Sequence, residues 1–151
     1  INLIKQSKTM RQKTILLMAL IAAIITFSAC SSDDDDNKIS TSSLVGKWYA
    51  EDEGYCCEFQ FNANGTLTYI ETMLDAPTSK VRDSGTYKLD GNRLMLYWAK
   101  SETWSNYSQQ WVVDDTSTET AVVRISLRGN QLTLYPDTPG DSSKPVTFTR
   151  E

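Results

Sequence analysis

Cys56-Cys57-Glu58-Phe59-Gln60-Phe61, then Asn62-Ala63-Asn64-Gly65, then Thr66-Leu67-Thr68-Tyr69: this run holds the rule by which the whole chain folds. Cys57, Phe59 and Phe61 share one face of an extended chain, and Cys56, Glu58 and Gln60 share the other. Such period-two alternation marks a strand with one buried face. Asn and Gly accept turn conformations closed to most residues, so residues 62–65 reverse the chain. Leu67 and Tyr69 then return on one face, with Thr66 and Thr68 opposite. The run predicts an antiparallel hairpin that is apolar on one side.

The same rule recurs outward from it. Gly85, Tyr87 and Leu89 alternate with Thr86 and Lys88, Asp90-Gly91-Asn92 turns, and Leu94, Leu96 and Trp98 follow. Trp111 and Val113 stand opposite Gln110 and Val112. Val123, Ile125 and Leu127 alternate with Arg124, Ser126 and Arg128 before the turn at Gly129-Asn130. Leu132 and Leu134 come next, then a loop from Pro136 to Ser143, then Val146 and Phe148. With Leu44 to Glu51 placed first, this makes about nine strand candidates, and no stretch keeps a helical period. The expected fold is all-β, a small antiparallel up-and-down barrel of about eight strands, because closure removes exposed edges. An immunoglobulin-like sandwich is the alternative, but its cysteine–tryptophan–cysteine spacing is missing.

The 151 residues carry 15 basic and 19 acidic groups and no histidine. Histidine-dependent nucleophilic catalysis and imidazole metal sites are therefore excluded. The acidic balance gives no footprint for nucleic acid. No Gly-x-Ser-x-Gly motif, phosphate loop or paired carboxylates are present, so neither an enzyme nor a cofactor is expected. Asp114 to Glu119 offers oxygens to calcium but reads better as a solvated turn.

The first 43 residues differ in composition from the rest. Lys5, Lys8, Arg11 and Lys13 precede an apolar run from Ile15 to Ala29. The run is shorter than the ~20 residues that span a bilayer and reads as a signal peptide over residues 1–29, with Met10 a candidate start. Phe27-Ser28-Ala29-Cys30 resembles a bacterial lipobox, with Phe27 where leucine is usual. The resemblance implies a lipidated Cys30, a membrane anchor whose chains each contribute ~0.8 kcal/mol per buried methylene. An ordinary signal peptide with a chance cysteine is the alternative. Asp33 to Asp36 repel one another and form a solvated tether, taken to extend over residues 30–43. The run also resembles the acidic export signal of surface lipoproteins. It implies an outer-membrane, surface-exposed position, with a plain spacer and a periplasm-facing protein as the alternative.

The domain from 44 to 151 carries a second resemblance. Gly46-Lys47-Trp48, Phe61-Asn62-Ala63-Asn64-Gly65-Thr66, Gly85-Thr86-Tyr87, Gly91-Asn92-Arg93-Leu94 and Thr147-Phe148-Thr149-Arg150 occur in an order similar to that of the short lipocalin-like domains of bacterial lipoproteins. The resemblance implies that Gly46 and Trp48 close one barrel end and that Arg150 packs over Trp48. It implies structural roles for these three, not ligand contacts. The chain is shorter than larger lipocalins and lacks their Thr-Asp-Tyr-like motif.

Two candidate surfaces follow. Tyr69, Tyr87, Trp98 and Trp111 are expected to face inward and to line a pocket for a small apolar or amphipathic ligand, with a packed core as the alternative. Trp104 and Tyr107 stand in a polar, loop-like stretch and suit a sugar, lipid or protein partner, or a loop folded over the barrel mouth. The leading expectation is a non-catalytic binding module. The alternative is an interaction protein, such as an envelope-complex accessory or a protease inhibitor, acting through its loops on a filled barrel. Adjacent residues of a strand point to opposite faces, so Cys56 and Cys57 are expected unpaired, Cys57 buried.

Overall fold

The computed structural model describes residues 39–116, 118–137 and 144–151. The segment expected to be a signal peptide, Cys30 and the acidic run fall outside the described residues. Among the described residues nine strands follow one short helix: α1 (Thr41–Leu44), β1 (Gly46–Asp52), β2 (Tyr55–Phe61), β3 (Thr66–Met73), β4 (Ala76–Asp90), β5 (Arg93–Ser105), β6 (Gln110–Asp115), β7 (Glu119–Arg128), β8 (Gln131–Pro136) and β9 (Val146–Arg150). All pairings are antiparallel, and β9 returns to β1 with Trp48 opposite Arg150. Strands β1 to β5 and β7 to β9 thus close an eight-stranded barrel, and β6 is one strand more.

The hairpin that opened the reading joins β2 to β3, with Phe59 opposite Tyr69 and Phe61 opposite Leu67. Its turn is held locally: the Asn64 carboxamide oxygen accepts from the Thr66 amide at 3.1 Å, and Gly65 takes φ +81°, where a Cβ is strained. Phe59, Phe61, Leu67, Leu94, Leu96 and Leu132 are almost wholly buried inside the ring. Phe59 is the hub, with ring centroids of Phe61, Tyr69, Trp98 and Phe148 at 5.3, 4.7, 6.5 and 5.2 Å.

One end of the barrel is plugged. Ser40 caps α1 by accepting from the Ser43 amide at 3.2 Å, and Leu44 is fully buried. The Trp48 indole donates to the Leu44 carbonyl at 2.8 Å. The Arg150 guanidinium lies 4.4 Å from the Trp48 ring centroid and donates to the Ser43 carbonyl. Residues 40–43, expected to belong to the tether, thus form a capped helical turn with Leu44.

The walls are unequal in height. β4 and β5 run for 15 and 13 residues. The lower part of β5 pairs with β7, Arg93 to Trp98, and the upper part with β6, Ser101 to Ser105. β6 and β7 thus lie end to end along one side of β5. β8 pairs with β7 only from Val123 onward, so among the described residues no strand pairs with β6 on its far side. The register of β4 against β5 slips between Ser84 and Gly85. A Cβ at Gly85 would come within 1.9 Å of the Tyr97 carbonyl oxygen, so the closest approach of these two strands requires glycine. The polar stretch after Trp98, expected as loop-like, continues the strand to Ser105; only residues 106–109 turn. Lys100, Ser101, Glu102 and Thr103 leave neither face apolar there, which conceals the strand from hydrophobic periodicity.

Candidate functional site

The four aromatic residues expected around one pocket are separated by the fold. Tyr87 packs edge-on to Phe61 at 5.0 Å, and its hydroxyl donates to the Asn62 carbonyl at 2.9 Å, near the β2–β3 turn. Tyr69 and Trp98 sit together higher in the barrel, centroids 6.4 Å apart. The Tyr69 hydroxyl donates to Cys57 Sγ at 3.2 Å and approaches Glu71 at 3.3 Å. Burial foremost holds the Tyr69 and Tyr87 hydroxyls above the ordinary tyrosine value. Burial likewise pushes the Cys57 thiol up to about 11. Both Cys56 and Cys57 are free, and Cys57 is the buried one.

Trp111 is a correction: it is not in the barrel. It stands on β6 opposite Trp104, and the two rings meet edge to face at 5.5 Å. Register puts Trp111 on the face of Trp104, Glu102 and Arg82, which turns away from the core. Tyr107, at the β5–β6 turn, is fully exposed.

A polar constellation lies on the sheet face turned away from the core. Register places Glu58, Ile70, Arg82 and Glu102 in one row across β2 to β5, and Gln60, Thr68, Ser84 and Lys100 in the next. These eight residues line an open cleft of about 280 Å³. Glu102, only 4% exposed, is the buried charge among the described residues. Arg82 Nε donates to its carboxylate at 2.8 Å, and Lys100 Nζ stands at 3.1 Å from the other oxygen. The Arg82 hydrogen bond, helped by Lys100, draws the Glu102 carboxyl below its ordinary value against the desolvation of burial. Arg82 also lies 4.4 Å over the Trp111 ring. Lys47 pairs with Glu58 at 3.7 Å.

Sequence reasoning missed Arg82, Lys100 and Glu102. The available signal was the charged alternation Lys80, Arg82, Ser84 against Lys100, Glu102, Trp104, which has strand period without apolar content. Among the described residues no group of three or more His, Cys, Asp or Glu is placed to hold a metal ion. No family model, curated protein or solved structure matches this chain.

Proposed function

We propose that this chain is a non-catalytic, lipid-anchored envelope lipoprotein whose lipocalin-like barrel is filled by its own side chains and binds through its outer surface. One observation carries the choice of surface. Phe59 and its four aromatic neighbours occupy the space a barrel ligand would need. Polar and aromatic groups remain available on β4, β5 and β6, where Trp104, Tyr107 and Trp111 gather at one hairpin. The lipobox-like Cys30 and the acids after it support an outer-membrane anchor, facing outward or, alternatively, the periplasm.

A second reading keeps a small apolar ligand inside the barrel. It is favoured by the residual exposure of Cys57, Tyr69 and Trp98, 7–8%, against 0–1% for Trp48, Phe59 and Phe61.

The two readings separate by variants. Exterior binding predicts that Trp104→Ala with Tyr107→Ala abolishes partner capture from the native envelope while the circular dichroism of the barrel is unchanged. Capture retained by that folded double variant counts against it. A mass lost on solvent stripping in native mass spectrometry, and abolished by Trp98→Asp, supports the interior reading instead. Cys30→Ser is expected to release the protein from membranes; retention in the membrane fraction removes the anchor.

A further inference from the structure

We infer that the cleft lined by Glu58, Arg82, Lys100 and Glu102 is a binding site for a neutral polyhydroxylated ligand, one or two sugar rings in size. The inference rests on the exterior-binding reading above and gives that surface a ligand class.

Charge balance argues first. Two carboxylates and two cations line the cleft, and each has a partner: Glu102 lies between Arg82 and Lys100, and Glu58 faces Lys47. Such a site presents no net field to an ion, and an anion would have to part Arg82 from Glu102 to gain its charge. A neutral ligand need not. It can accept from the guanidinium N–H groups and donate to the carboxylates, using charge-assisted hydrogen bonds while the ion pairs stay whole.

Rigidity argues second. Arg82 is fixed on two sides, by the Glu102 carboxylate and by the Trp111 ring, and Trp111 is braced by Trp104. Donors and acceptors held in place before binding lose little entropy when the ligand arrives. A buried ion pair is weak evidence for stability, since apolar side chains of similar volume often serve as well. A carboxylate kept at 4% exposure between two cations is thus better explained by the surface it organises.

Size and polarity argue third. The volume of about 280 Å³ falls just under the ~300–1,000 Å³ of sites for drug-sized molecules. Ile70 is the single apolar residue of the lining, and Gln60, Thr68 and Ser84 add an amide and two hydroxyls. An apolar ligand would strip water from these groups without replacing it. A polyol replaces each lost water contact with one of its own.

The test is a titration of the folded Cys30→Ser chain, followed by ¹H–¹⁵N correlation spectra. The probes are glucose, galactose, mannose, N-acetylglucosamine, maltose and cellobiose, with sodium phosphate, sodium acetate and lysine as ionic probes. Saturable shifts at Gln60, Thr68, Arg82 and Ser84 with at least one sugar support the site. Gln60→Ala and Ser84→Val, which leave the Arg82–Glu102 pair intact, are expected to weaken that sugar by about tenfold each, the worth of one well-made hydrogen bond. No saturable shift at these residues with any of the six sugars overturns the inference, as does saturation by an ionic probe alone. If the sugars fail while capture still depends on Trp104 and Tyr107, exterior binding stands without this ligand class. If an interior mass is found and capture is independent of the hairpin, exterior binding itself fails.

Discussion

Replacing Phe59 by alanine measures whether the barrel is filled. Phe59 is 1% exposed and meets four aromatic rings at centroid distances from 4.7 to 6.5 Å. Truncating a buried phenylalanine destabilises by about 3–5 kcal/mol, through lost transfer energy and the cavity left behind. The ring contacts add about 0.5–1.5 kcal/mol for each well-placed pair, which puts Phe59 toward the upper end. At about 4 °C per kcal/mol for a domain of this size, the midpoint falls by roughly 12–20 °C. Urea unfolding followed by tryptophan fluorescence gives the free energy, with Tyr107→Ala as the exposed control, expected within about 0.5 kcal/mol of the parent. The whole stability is on the order of 5–15 kcal/mol, so Phe59→Leu, expected to lose about 1–2 kcal/mol, keeps the transition measurable if the alanine variant does not fold. A loss below about 1 kcal/mol for Phe59→Ala refutes the packed interior and returns the weight to an interior ligand.

Glu102 makes the fold sensitive to acid. Its folded carboxyl titrates below the ordinary 4.5, so its contribution is full above that value and is lost as pH falls through the lower, folded one. Glu102→Gln is expected to cost about 1–3 kcal/mol at pH 7, the lower range for a broken charged pair because Arg82 and Lys100 keep part of their hydration. Its stability is also expected to decline less than the parent's below pH 4.5; parallel pH profiles refute the assignment. With Cys30 replaced by serine, iodoacetamide at pH 8 is expected to modify Cys56 in the folded domain and Cys57 only in denaturant, since a buried thiol titrating at about 11 is almost wholly protonated. Equal native rates at the two sites contradict this. Trp48→Phe removes the indole donor to Leu44 and is expected to lose about 1–2 kcal/mol. It is also expected to hasten proteolytic cleavage ahead of Val45, and an unchanged cleavage rate argues against a plug held from Trp48.

The barrel was legible because its rule is local. Phe59, Phe61, Leu67, Leu94, Leu96 and Phe148 declare their buried face by period two, and Asn64-Gly65 declares its turn. Trp111 obeys the same period, yet its strand lies outside the ring, and alternation cannot say against which surface a face is buried. The upper half of β4 was illegible for another reason. Lys80, Arg82 and Ser84 alternate with Val81, Asp83 and Gly85, a pattern without an apolar side. Such a strand is held by its neighbours' backbones and by the Arg82–Glu102 pair, a contact across 20 residues that no local window contains. The candidate cleft is built almost wholly from that long-range register, so the fold could be read before the site.

The plug at α1 decides how the domain answers a mechanical load. Any pull on the chain ahead of Ile39 enters through Ser40 to Leu44 and meets first the contacts of the Ser43 and Leu44 carbonyls with Arg150 and Trp48. Behind them, β1 is bonded to β2 on one side and to β9 on the other, and a pull on its leading end opens these pairs in succession, Gly46 from Phe61 before Lys47 from Gln60. Bonds loaded in succession yield at lower force than bonds loaded together. Tension on this chain therefore works as on a zip fastener, with α1 as the tab and the Arg150–Trp48 stack as the catch that keeps it shut.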